Sequence, residues 1–64
     1  MVKVNGEMLD MNGKTVSELL AEMNISGQRV AVELNEDIVP KAKYSETFLS
    51  EGDCVEVVRF VGGG

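Results

Sequence analysis

One stretch of this chain carries apolar residues at helical spacing, and it dictates what the rest must provide. Val16, Leu19, Leu20 and Met23 fall at i, i+3, i+4 and i+7, a single stripe that has to be buried, while Ser17, Glu18, Ala21 and Glu22 face away. The start is marked as well. Thr15-Val16-Ser17-Glu18 has the form of a capping box, in which the Thr15 hydroxyl accepts from the Glu18 N–H and Glu18 reaches back. Ser26-Gly27 is expected to end the helix. With 64 residues and one cysteine, Cys54, the chain is one small domain without an internal disulfide, so the stripe must find its cover in a sheet.

The flanking segments alternate with a period of two, as strands do. Val2 and Val4 alternate with polar neighbours ahead of Asn5-Gly6, a dipeptide favoured in type I′ hairpins, and a second short apolar segment follows. Beyond the helix, Val30, Val32 and Leu34 share one face of a half-buried strand, and Asn35, Glu36 and Asp37 turn the chain. Ile38-Val39 forms a brief strand stopped by Pro40, and 41–46 makes a helical turn with Tyr44 packed inward. Glu51-Gly52-Asp53 is a turn, and 54–61 is the last strand. The resulting order, β-β-α-β-(β)-β, gives a sheet with one helix laid across one face.

In the last strand Val55, Val57, Arg59 and Val61 fall on one side, and Cys54, Glu56, Val58 and Phe60 on the other. If Val55 and Val57 cover the helix, Val58 and Phe60 emerge on the open side. Phe60 then either docks a partner or folds over a loop; the residues leave both open.

Most functional classes are removed by what the chain lacks. Eleven acids against six bases give a net charge of −5 with no basic cluster, which argues against nucleic acid or an anionic membrane and for a protein partner with a basic surface. The absence of histidine removes Ser-His and Cys-His nucleophile pairs and His-containing metal sites. Gly13-Lys14-Thr15 resembles the end of a phosphate-binding loop, but Met8 stands where that motif needs its first glycine. Cys54, flanked by Asp53 and Glu56, is expected to be a small, partly buried hydrophobe, because negative neighbours discourage the thiolate. A lone thiol suits a reducing cytosol, and no export signal or membrane-length apolar run is present, so a cytoplasmic location is expected.

The end of the chain is its other informative feature. Gly62, Gly63 and Gly64 follow Arg59-Phe60-Val61; glycines do not pack, and they leave the terminal carboxylate with no side chain beside it. That carboxylate, with an ordinary pKa of about 3.3–3.7, is ionised at neutral pH and ready to attack an activated phosphate. Three extended residues reach only about 10 Å beyond Val61, so the body must dock for the tail to enter a site. Val58, Arg59 and Phe60 are the nearest candidate contacts. A frayed end is the alternative reading of the same glycines.

Four segments together resemble a known family: Val4-Asn5-Gly6, the run 32–40 from Val32 to Pro40, Gly52-Asp53 followed by Val55-Glu56-Val57, and Arg59 through Gly64. They look like the sulfur carrier family of thiamine biosynthesis, the ThiS family, in the ubiquitin-like β-grasp superfamily. The resemblance implies an α+β fold, a mixed four- to five-stranded sheet with one main helix packed across one face and the first and last strands parallel at its centre. It implies a β-grasp domain over 1–61 and a flexible glycine tail over 62–64. Functionally it implies a carrier and not an enzyme, with Gly64 as the sulfur-carrying terminus and Gly62 and Gly63 as the threading tail. Partners would be an ATP-dependent adenylyltransferase, a persulfide sulfur donor and thiazole synthase; ATP would be used by the activating partner, with no cofactor bound by this chain. A carrier of another sulfur pathway, such as the small subunit of molybdopterin synthase, and a β-grasp interaction module acting through its sheet are the alternatives.

Overall fold

The computed structural model describes residues 1–25 and 29–60. Val2–Val4 (β1) and Glu7–Leu9 (β2) form an antiparallel hairpin with Val4 opposite Glu7. Asn5 and Gly6 close it at φ of 50° and 87°, the left-handed values that a type I′ turn requires at both central positions. Helix α1 covers Val16–Glu22. It starts on the expected capping box: the Glu18 N–H donates to Thr15 Oγ1 at 3.1 Å and the Thr15 N–H to Glu18 Oε1 at 2.8 Å, an arrangement worth about 1 kcal/mol.

The helix ends earlier than Ser26-Gly27, which lies outside the described residues. Asn24 takes the left-handed position at φ 58°; its N–H donates to the Ala21 carbonyl at 3.1 Å, and the Ile25 N–H to Leu20 at 2.9 Å. This pair of bonds is a Schellman closure. Asparagine enters the left-handed region more readily than other residues with a side chain, and Asn24 comes before the glycine in sequence.

Beyond α1 the chain forms β3 (Val30–Leu34), β4 (Asp37–Ile38), a 3-10 turn over Lys41–Lys43 and β5 (Cys54–Arg59). The sheet has five strands in the order β2-β1-β5-β3-β4. At its centre β1 and β5 run parallel, with Lys3 beside Cys54 and Val4 beside Val55, as the resemblance implies. On its other side β5 runs antiparallel to β3 through five pairs, from Val30 with Arg59 to Leu34 with Val55. Parallel neighbours cannot be joined by a tight turn, and here the connection contains α1 and the whole β3–β4 hairpin.

Strand parity builds the core. Val2, Val4, Val30, Val32, Val55 and Val57 are buried with Val16, Leu19 and Leu20 of the helix in one cluster, joined by Met11, Val39, Tyr44 and Leu49 from the connections. Tyr44 packs inward as expected, and burial raises the pKa of its phenol. Met23, the last residue of the stripe, is only half-buried, because the helix closes at that point. Near the start of β1 the Met1 ammonium pairs with Glu51, which also accepts from Asn12 Nδ2 at 2.9 Å. The Asn12 bond first, and then the ammonium, hold the Glu51 carboxyl below its usual range.

The β3–β4 turn carries a local conflict. Asn35 and Glu36 sit at φ of 51° and 74°, and Glu36 has neither the freedom of glycine nor the short polar side chain that tolerates this region. Glu36→Gly is expected to raise stability by roughly 0.5–1 kcal/mol, relief of strain outweighing the added entropy of the unfolded chain. A denaturation midpoint unchanged or lowered in this variant would show that the turn is relaxed as it stands.

Candidate functional site

The pleat of β5 sorts its residues onto two faces. Val55 and Val57 point to the core; Cys54, Glu56 and Val58 alternate with them and are exposed. Phe60 continues this parity one residue past the strand and is 56% exposed, beside Val58 at 50%. Phe60 remains tied to the sheet, its N–H donating to the Arg29 carbonyl at 2.9 Å. The structure shows Phe60 exposed at the end of the sheet.

Pairing partners share a face, so the register fills in the remainder of this surface. Val58 lies opposite Ala31, Glu56 opposite Glu33, and Glu33 opposite Ile38. Cys54 lies beside Lys3, and Lys3 opposite Met8. The face free of the helix therefore carries four exposed apolar side chains, Met8, Ile38, Val58 and Phe60, around the facing carboxylates of Glu33 and Glu56. Like charges placed directly opposite on neighbouring strands are unfavourable within the fold. Nothing about folding requires this pair.

Of the three proposed contacts, the structure brings together two. Val58 and Phe60 share the open face, whereas Arg59 has the parity of Val57, pairs with Val30 and lies exposed toward the other side. Met8 and Ile38 escaped the sequence reading because each belongs to a strand of two or three residues, too short to display a period; the signal is their register with Lys3 and Glu33. Cys54 corrects an expectation. It is exposed, because its parity with Glu56 and Val58 sets it on the face that α1 does not cover.

Gly62, Gly63 and Gly64, together with Val61, lie outside the described residues. What the described part supplies is their approach: β5, at the centre of the sheet, leads directly into them. Among the described residues no group of three or more Cys, Asp or Glu side chains is placed to hold a metal ion, and no helix is long and apolar enough to cross a membrane.

Comparison with known proteins places these features. The model of the ThiS family matches residues 1–64. The sulfur carrier protein ThiS of Thermus thermophilus is 42% identical over 64 residues, spanning all of both chains. The ThiS protein of Bacillus subtilis is 39% identical, covering 89% of this chain and all of its own. A thiazole synthase of Paramagnetospirillum magneticum is 42% identical over 95% of this chain, which spans only 19% of that protein's length. Among solved structures, the crystal structure of the thiamine biosynthesis protein ThiS from Geobacter metallireducens superposes with a TM-score of 0.77 at 33% identity, covering 98% of this chain and 97% of that one.

Proposed function

The chain belongs to the ThiS family, and from that premise we propose that it is the sulfur carrier of thiamine biosynthesis, with the Gly64 carboxylate as the group that is loaded. The observation that carries this reading is the full-length match to proteins named as sulfur carriers. It is supported by a β-grasp body whose central strand leads into the terminal glycines.

The chemistry follows from what a carboxylate needs before sulfur can replace oxygen. A Gly64 carboxylate oxygen attacks the α-phosphorus of ATP on a partner adenylyltransferase and expels pyrophosphate, giving an acyl-adenylate. The terminal sulfur of a persulfide then attacks the acyl carbon and expels AMP; a second thiol cleaves the resulting acyl disulfide, leaving the thiocarboxylate and a new disulfide. The chain contributes no acid or base to these steps. Its part is to present an unbranched terminus that enters a narrow site, with the body as the handle.

The same terminus has to be read by the enzyme that consumes the sulfur. The similarity to one segment of a thiazole synthase supports thiazole synthase as that acceptor, since a carrier domain and its acceptor within one chain remove the need to meet by diffusion. Adenylation by a separate partner and residence in the cytoplasm complete the reading. The open face, apolar at Val58 and Phe60 and acidic at Glu33 and Glu56, fits a partner surface that is apolar with a basic rim.

Intact mass decides the central claim. Protein incubated with the activating enzyme, ATP and a persulfide donor is expected to gain about 16 Da, the difference between sulfur and oxygen; an unchanged mass with an active enzyme would overturn the reading. The docking face has its own test. Val58→Glu adds a third carboxylate beside Glu56 and Glu33, and is expected to raise the KM for activation by roughly 10-fold, in line with the more than 1 kcal/mol lost at a central interface contact, with kcat little changed. An unaltered KM would remove Val58 from the interface.

A further inference from the structure

Asn5 does more than turn the first hairpin. The strand β1 ends at Val4, and the Asn5 backbone makes one further bond to β5, its N–H donating to the Val55 carbonyl at 2.9 Å. The chain then turns away through Gly6. Two residues further along β5, the Asn5 side chain takes over: the Val57 N–H donates to Asn5 Oδ1 at 2.8 Å, and Asn5 Nδ2 donates to the Val57 carbonyl at 3.2 Å. A carboxamide is chemically a peptide group, with one acceptor oxygen and an N–H donor on a planar frame. It satisfies Val57 on both its polar atoms, the bonds that the residue 5 carbonyl and the residue 7 N–H of a longer parallel β1 would otherwise make.

We propose that Asn5 is a positioning residue, whose carboxamide substitutes for the missing end of β1 and fixes the direction in which β5 delivers the terminal glycines. Among the described residues, β5 past Val57 pairs only with β3, through Ala31 with Val58 and Val30 with Arg59, and then through the Phe60 N–H on Arg29. A strand end held from one side can pivot about its remaining ladder; among the described residues the Asn5 clamp is the last restraint on the other side. The open-face contacts at Val58 and Phe60 and the tail lie immediately beyond it. Docking surface and reacting carboxylate are therefore held in register only if β5 leaves the sheet in one direction, and an error on the order of 1 Å at a reacting atom can cost about 100-fold in rate.

The other hairpin supplies a control. Asn35 has nearly the same backbone conformation as Asn5, with φ of 51° against 50°, and it also lends its carboxamide to β5: the Cys54 N–H donates to Asn35 Oδ1 at 3.0 Å, and Asn35 Nδ2 donates to Asp53 Oδ1 at 3.1 Å. Those bonds hold the beginning of β5, away from the tail. A role in stability alone makes the two asparagines equivalent; a role in positioning does not.

The inference rests on the reading of Gly64 as the loaded group, and the experiment separates the two. Asn5→Gly and Asn35→Gly both keep the left-handed turn and remove the carboxamide. At a temperature where melting curves show both variants folded, pyrophosphate release with the activating enzyme and ATP is measured alongside amide hydrogen exchange. Asn5→Gly is expected to lower kcat by about 10-fold or more with a smaller change in KM, and Asn35→Gly to change kcat less than about 2-fold. Exchange at the Phe60 amide should accelerate by about 10-fold or more in Asn5→Gly and stay unchanged in Asn35→Gly. Equal kcat losses in the two variants, or Phe60 exchange that ignores Asn5, would overturn the proposal. Failure of the unsubstituted protein to release pyrophosphate would instead sink the carrier reading, and the exchange data would still decide whether Asn5 clamps β5.

Discussion

Replacing Gly64 with tryptophan should lower sulfur loading by about 100-fold or more while leaving the melting midpoint where it was. The two halves of this expectation have different physical origins. Gly64 follows Phe60 by four residues, which span at most about 13–14 Å when extended; on the proposed reading the carboxylate enters the activating site through a passage that slender glycines fit. An indole at the last position meets that passage before the carboxylate reaches the phosphate, and a displacement of about 1 Å at the reacting atom already accounts for a 100-fold loss. Stability is a separate matter. Among the described residues the core cluster runs up to Val57, and a glycine has no side chain to contribute to it. Gly64→Ala should fall between, its methyl group being small but its backbone less free. The measurement is pyrophosphate release per folded molecule for the three proteins. Loading of the tryptophan variant at the normal rate would mean that the carboxylate is not threaded through a narrow passage, and the role given to the terminal glycines would fall.

How far this fold could be read before any coordinates depended on the length of each repeating pattern. The helix showed two full turns of apolar spacing and a capping box with both partners in sequence, so Thr15, Glu18 and the buried Val16, Leu19 and Leu20 followed directly. Its end did not, because Asn24 and Gly27 offered competing left-handed stops three residues apart and local pattern does not rank them. The Asn5-Gly6 hairpin was legible from two residues. The parallel pairing of β1 with β5 was not legible from pattern at all: strands separated by about fifty residues carry no local signal of adjacency, and that expectation came from the family resemblance.

The site divided in the same way. Period two in β5 was enough to put Val58 and Phe60 on the open face, and it already implied that Cys54 is exposed, a consequence missed when its acidic neighbours were weighed ahead of its parity. Met8, Ile38 and the Glu33–Glu56 pair depend on register between strands, which the sequence specifies only through turn geometry and burial acting together. The Asn5 clamp was hidden for a different reason. An asparagine in a type I′ turn already has a sufficient backbone explanation, and only the position of Val57 shows that its side chain has a second use.

Leu19→Ala should have the largest effect on the body and thereby separate the handle from the tail. Leu19 is fully buried, in the middle of the apolar stripe of the only α-helix among the described residues, and truncating such a side chain costs about 2–5 kcal/mol through lost transfer energy and the cavity left behind. For a domain of this length total stability is of the order of 3–10 kcal/mol, and each kcal/mol moves the midpoint by about 4–8 °C. A loss of about 3 kcal/mol therefore lowers the midpoint by roughly 12–24 °C. The terminal glycines are untouched by this change, yet loading should fall in parallel with the folded fraction and return on cooling into the range where the variant is native. That parallel follows from reach: a tail this short cannot be captured on its own and depends on Val58 and Phe60 being displayed together on an intact sheet. If the variant instead loaded at the normal rate while largely unfolded by circular dichroism, the activating partner would be reading the terminal residues alone, and the open face would have no part in recognition.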